Sequence, residues 1–211
     1  ELGYWRSALA GAPGLLRLPW DGPRAAVSRH RGATVAVGLD GGLVARLRGL
    51  CRAEGVTLFM ALLAGFGLVL GRWSGQREVV IGTPVANRLR GEVEGTIGFF
   101  VNTLALRLGV GGLATGHELL ARARAVSVQG YEHQAVPFER VVEALHPERS
   151  LGHSPLFQAM LVLQPPAPAG SGMTLAGLTG TALELGSLGS KFDVTLSLAE
   201  AGGALTGWLE Y

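Results

Sequence analysis

The chain has 211 residues, 48% of them hydrophobic and 16% charged, which is enough for one domain with a substantial core and excludes a disordered chain. Seventeen Arg and a single Lys, Lys191, stand against 16 acidic residues for a net charge of +2. The arginines form no run, which argues against nucleic acid as a partner.

Leu2, Tyr4, Trp5, Ala8 and Leu9 place an apolar face at helical spacing, and Gly11-Ala12-Pro13-Gly14 ends that helix. Residues 17–31 carry Pro19, Pro23 and several Arg and read as an extended connection. Thr34 to Leu39 alternates as a strand. Asp40 is placed to cap a helix over 41–54 that stops at Gly55. Thr57 caps a second helix over 58–73, apolar on nearly all sides and therefore buried. Its apolar run, Leu58 to Gly71, is 14 residues. That is short of the ~20 needed to span a bilayer, so no membrane is expected as a partner.

Glu78 to Pro84 is a β-branched buried strand closed by proline. Residues 85–96 are polar and read as loop, and Ile97 to Leu108 reads as the next strand. Helices are predicted over His117–Tyr131 and Phe138–Leu145, then a strand over Leu156–Leu163. Residues 165–172 are a Pro/Gly/Ala-rich excursion. Strands at about 173–178, 191–198 and 204–211 follow, with Gly-rich turns between them. Helices interleaved with strands and then a run of strands predict one α+β layered domain with a mixed sheet. Glu1 opens inside a helical pattern without a Met, and Tyr211 stops inside a strand, so both ends read as cut from a longer chain.

No self-contained catalytic set is visible. His30, His117, His133, His146 and His153 form no adjacent pair, no HExxH and no zinc spacing. There is no GxSxG elbow and no phosphate-binding loop. The one cysteine, Cys51, excludes an internal disulfide and a cysteine-based zinc site. A reducing compartment is the simplest reading. With no charged leader before an apolar run, the expected location is the cytoplasm. Neither a metal nor a directly bound cofactor is expected.

Four segments carry more. In Ile81-Gly82-Thr83-Pro84-Val85-Ala86-Asn87-Arg88 a strand runs into Gly-Thr-Pro, where glycine lets a neighbour come close. A tight strand exit with Asn87 capping the loop accounts for it equally. In Ile97-Gly98-Phe99-Phe100-Val101-Asn102-Thr103-Leu104 a polar pair interrupts an apolar strand. Asn102 then either braces backbone or faces a polar cavity, and bracing is favoured. In His133-Gln134-Ala135-Val136-Pro137-Phe138-Glu139, Pro137 opens a helix with Glu139 in its first turn. Arg149-Ser150-Leu151-Gly152-His153-Ser154-Pro155-Leu156-Phe157-Gln158 is a polar loop entering a strand.

Together and in this order, these segments resemble the condensation domains of nonribosomal peptide synthetases. IGFFVNTLALR is similar to that family's Ile-Gly-x-Phe-Val-Asn-Thr motif, HQAVPFE to its His-Gln-x-x-Pro-Phe-Glu motif, and RSLGHSPLFQ to its late Pro-Leu-Phe-Gln motif. YWRSALAGAP and LPWDGPR are similar to its mid-domain linker. His153-Ser154 stand where the late motif usually offers a second Arg or polar residue before the proline.

The resemblance implies the C-terminal lobe, residues 1–211, of a two-lobed domain, each lobe like chloramphenicol acetyltransferase: a two-layer sandwich with a mixed sheet flanked by helices. The domain would join aminoacyl or peptidyl thioesters carried on the phosphopantetheine arms of carrier proteins. The family's His-His-x-x-x-Asp-Gly motif lies in the other lobe and matches nothing here, so no catalytic residue is assigned and the fragment alone is expected to be inactive. Gly82, Thr83, Pro84, Asn87, Arg88, Gly98, Phe99, Asn102 and Thr103 would line or support a floor loop beneath the tunnel. His133, Gln134, Pro137, Phe138, Glu139, Arg149 and Pro155 would hold motif structure. Residues 165–189 would be the latch toward the other lobe, and the family's closing helix is missing. Implied partners are the N-terminal lobe, peptidyl carrier proteins and an adjacent adenylation domain. Two alternatives stay open: a docking module without chemistry, and a lobe of a related thioester-dependent O-acyltransferase.

Overall fold

The structure is a computed structural model that describes residues 1–112, 115–148, 150–165, 174–175, 178–179 and 189–211. Five α-helices are described: α1 (Leu2–Ala8), α2 (Gly41–Glu54), α3 (Leu58–Ser74), α4 (Gly116–Glu132) and α5 (Phe138–Leu145). The described strands are β1 (Thr34–Leu39), β2 (Glu78–Val85), β3 (Asn102–Gly109), β4 (Ala159–Gln164), β5 (Thr174–Leu175), β6 (Leu178–Thr179), β7 (Val194–Ala201) and β8 (Ala204–Glu210).

α2, α3 and α4 begin where short polar side chains, Asp40, Thr57 and Thr115, take up free backbone amides. The Asp40 carboxylate accepts from Leu43 N at 2.9 Å, and the Thr57 hydroxyl accepts from Met60 N at 3.2 Å. Gly55 and Gly75, both left-handed, close α2 and α3.

Six strands form one mixed sheet in the order β1-β8-β7-β4-β2-β3. β4 runs parallel to both β2 and β7, and the remaining pairings are antiparallel. β7 and β8 are joined through Gly202 and Gly203, whose φ values of 58° and 81° suit a two-residue hairpin that side chains would strain. Strand alternation sends Val79, Ile81, Leu104, Leu106 and Leu108 to the face covered by α3 and α4, where all five are at most 1% exposed. The α+β layering and the mixed sheet expected from the sequence are therefore present.

Three strand boundaries differ from expectation. The strand predicted over 97–108 begins only at Asn102, because its partner β2 ends at Val85. Two residues beyond, Asn87 turns left-handed (φ 52°), so no strand lies opposite 97–101. β4 starts at Ala159 instead of Leu156, whose φ of 66° breaks extended backbone. β7 covers 194–201 and not 191–198, because residues 190–193 are held in a bend by side-chain contacts. Where one strand is expected at 173–178, the structure has two short strands, β5 and β6, paired antiparallel with each other through Thr174–Thr179 and Leu175–Leu178. Of the expected latch, residues 166–173, 176–177 and 180–188 lie outside the described residues, as does Arg149.

Candidate functional site

The four sequence segments come together around the ends of β2 and β3. Gly82 stands in the middle of β2, paired with Ala105 on β3 and Met160 on β4. A Cβ placed on Gly82 would lie 2.2 Å from Cε2 of Phe157, so the ring occupies the volume that any side chain would need. Phe157, 2% exposed, also packs on Phe138 (centroids 5.4 Å apart) and on Phe192 (5.1 Å). The glycine of the first segment, the Phe of the third and the Phe of the fourth thus share one aromatic cluster.

Asn102 makes the second junction. Its amide nitrogen donates to the carbonyls of Gln134 and Val136, both at 2.8 Å, and its amide oxygen accepts from Phe138 N at 3.0 Å. Two of the partners lie in the turn that carries α4 into α5, and the third is the first amide of α5, which has no intrahelical acceptor and no side-chain cap from Pro137. At 8% exposure Asn102 braces backbone. This confirms the reading favoured from the sequence. Thr103, half-buried, pairs with Pro84 just beyond the part of β2 that contacts β4, where a residue without an N–H is tolerated. Thr83 is buried at 3% exposure.

Between these anchors residues 86–101 form a loop with a short 3-10 turn at Gly91–Val93. The Arg88 guanidinium holds it from inside: it donates to the carbonyls of Val93 and, at 3.3 Å, Glu94, and lies 4.3 Å from the Phe100 ring centre. Gly98 leaves room for that same ring. Outward, Ile97 is fully exposed and Phe99 90% exposed, with Leu89 and Val101 also exposed. An apolar patch held out on a braced loop is the signature of a contact surface.

His133 is occupied structurally. It stacks on Tyr4 at 4.2 Å, its Nδ1 lies 3.2 Å from a Glu1 carboxylate oxygen, and its carbonyl accepts from Trp5 Nε1 at 3.0 Å. Gln134 donates to the Tyr131 carbonyl at 2.9 Å, and Glu139 is exposed on the first turn of α5. Pro155 accepts from Phe157 N at 2.8 Å. With Glu139, Val142, Glu143, His146 and Leu151 it lines a groove of about 780 Å³ against α5.

Two contributors were given no role of their own by the sequence reading. Gln158, 1% exposed, donates to the carbonyls of Gly14 (3.2 Å) and Ser154 (2.7 Å) and accepts from Leu16 N (2.6 Å), tying the linker to the sheet. A polar residue ending the apolar Leu156-Phe157 pair was the available signal. Phe192 gave none, because its role depends on the ring across from it. No group of three or more His, Cys, Asp or Glu among the described residues is placed to hold a metal ion. No single described helix is long and apolar enough to cross a membrane.

The Condensation domain family model matches residues 1–211. A linear gramicidin synthase polypeptide of Brevibacillus parabrevis is 46% identical over 216 residues, covering 100% of this chain and 4% of that protein. Malpinin synthetase of Mortierella alpina is 46% identical over 208 residues, 99% of this chain and 3% of that protein. The chain thus spans a small fraction of these relatives. Among solved structures, the four-domain nonribosomal peptide synthetase holo-AB3403, bound to AMP and glycine, superposes with a TM-score of 0.86 at 30% identity, over 100% of this chain and 17% of that one. The X-domain in the complex of the X-domain and OxyB from teicoplanin biosynthesis gives 0.88 at 26% identity, over 100% and 46%. With the family model matching from Glu1 to Tyr211, the chain belongs to the condensation domain family.

Proposed function

We propose that this chain is the C-terminal lobe of an amide-forming condensation domain in a nonribosomal peptide synthetase. The acceptor's amine attacks the donor's thioester carbonyl; a C–N bond forms, the C–S bond breaks, and the amine's surplus proton leaves with the thiol of the phosphopantetheine arm. Base chemistry belongs to the His-His-x-x-x-Asp-Gly motif of the other lobe. This lobe would supply the floor loop and one wall of the tunnel, keep out water and hold two tethered substrates in line, which can account for a large share of such a rate. Carrier proteins, the N-terminal lobe and an adenylation domain are the proposed partners, and the cytoplasm the proposed location.

The observation that supports this reading is the braced loop over residues 86–101. Asn102, Gly82 and Arg88 fix its ends and middle, while Ile97 and Phe99 are held out where a second lobe would meet them. The test uses aminoacyl thioesters loaded on their carrier proteins. The parent domain should form the amide and the 211-residue chain should not; turnover by this chain alone would place catalysis here and overturn the assignment.

A second reading is a docking module without chemistry, favoured by the structural likeness to an X-domain solved together with OxyB. A parent domain that binds carrier proteins yet makes no amide would select it.

A further inference from the structure

Residues 17–33 contain no regular element, yet their path is closely specified. Among the described residues, the hydrogen bonds that tie 19–33 to the rest of the chain run to two loops, 150–154 and 189–193, and to the end of β8. Ser28 N donates to the Leu151 carbonyl at 2.8 Å, and Ser190 N donates to the His30 carbonyl at 2.9 Å. Arg31 bridges to Gly189, and Ala33 exchanges hydrogen bonds with Tyr211. These are backbone links. Arg24 supplies the charged side-chain link. One of its nitrogens donates to Asp193 Oδ1 at 3.0 Å and to the Gly152 carbonyl at 3.2 Å, and the other donates to Asp193 Oδ2. Trp20 lies under the guanidinium at 4.7 Å.

The pair is largely buried, with side-chain exposures of 20% for Arg24 and 11% for Asp193. A planar fork on a carboxylate, with an extra bond to a carbonyl, fixes orientation in a way a point charge cannot. Removing the arginine would leave a buried carboxylate without its counter-charge. Asp193 directly follows Phe192, whose ring rests on Phe157; Phe157 in turn fills the space over Gly82 and touches Phe138, beside the Asn102 brace. Arg24, Gly152, Ser190, Phe192 and Asp193 also share the wall of a cavity of about 490 Å³.

We propose that Arg24 is a positioning residue for the floor loop. By locking Asp193 against Gly152 it sets the height of the Phe192–Phe157–Phe138 rings, and through Gly82 and Asn102 it seats residues 86–101. The effect on amide formation rests on the function proposed above; the effect on the loop does not.

The experiment therefore has two arms. In this chain, backbone amide exchange is compared between wild type, R24A, R24K and D193N. R24A and D193N should speed exchange within 86–101 several-fold, and R24K should recover part of the protection. In the parent domain, R24A should lower kcat for amide formation on the order of ten-fold, with acceptor KM little changed, as expected when alignment and not binding is lost. Exchange altered only within 17–33 and 189–193, together with an unchanged kcat, would make Arg24 a local tether and overturn the proposal. Should R24A not fold, R24K carries both arms with the same two outcomes. A wild-type parent that forms no amide sinks the functional reading alone, because the exchange arm needs no turnover.

Discussion

At the scale of single residues, the site depends on two residues that the sequence singles out without giving their partners. Asn102 satisfies two carbonyls and one amide of a turn that cannot satisfy them itself. An Asn102→Ala variant leaves those groups unpaired and should lose about 2–4 kcal/mol of stability, read from urea unfolding. Gly82 works by absence: the Phe157 ring occupies the position of its missing side chain. Gly82→Ala should cost roughly 1–3 kcal/mol through overpacking, and a second change, Phe157→Leu, should return part of that loss. If the double variant is no better than the sum of the singles, the ring and the glycine are not coupled.

At the scale of elements, the helices follow local rules closely. Asp40 and Thr57 cap α2 and α3 where the sequence places them. Asp40→Ala should therefore cost about 1 kcal/mol, while Asp40→Asn stays within a few tenths, both measured by thermal melting. Strands follow local rules less well. Ile97, Phe99 and Val101 alternate as a buried strand would, yet they lie outside the sheet and face solvent. A strand exists only where a partner offers its backbone, and β2 stops at Val85. The alternating pattern is real but falls on the exposed surface of the loop over 86–101.

At the scale of the whole molecule, core and contact surface separate cleanly. Ile97 and Phe99 bury almost nothing, so an Ile97→Ser/Phe99→Ser variant should keep its unfolding midpoint while the parent domain loses most of the amide-forming rate proposed for it. Loss of both fold and rate would show that the patch belongs to the core. Stability should also fall in alkali. Burial pushes the Tyr4 phenol up, with the Glu132 charge adding to it, and burial alone raises Tyr131. The folded chain thus holds both protons more tightly than the unfolded one. That contribution is complete below the ordinary tyrosine pKa of about 10 and is lost as pH rises through the higher folded values. Melting temperature should drop as pH climbs above about 10, and Tyr4→Phe/Tyr131→Phe should flatten the drop. A curve unchanged by the double variant would assign the alkaline loss to other groups.

The amino-acid sequence by itself determined the helices and their caps, the α+β class, and the ordered motifs that mark the condensation domain family. These are encoded among near neighbours: periodicity, capping residues and short motifs act over a few positions along the chain. Only the tertiary structure decided that Asn102 braces the α4–α5 turn, that Phe157 fills Gly82, that Arg24 grips Asp193, and that residues 97–101 are surface rather than strand. Each of those outcomes depends on a partner far away in the chain. A hydrogen-bond donor, a ring or a strand edge acquires its role only when folding brings that partner within a few ångströms.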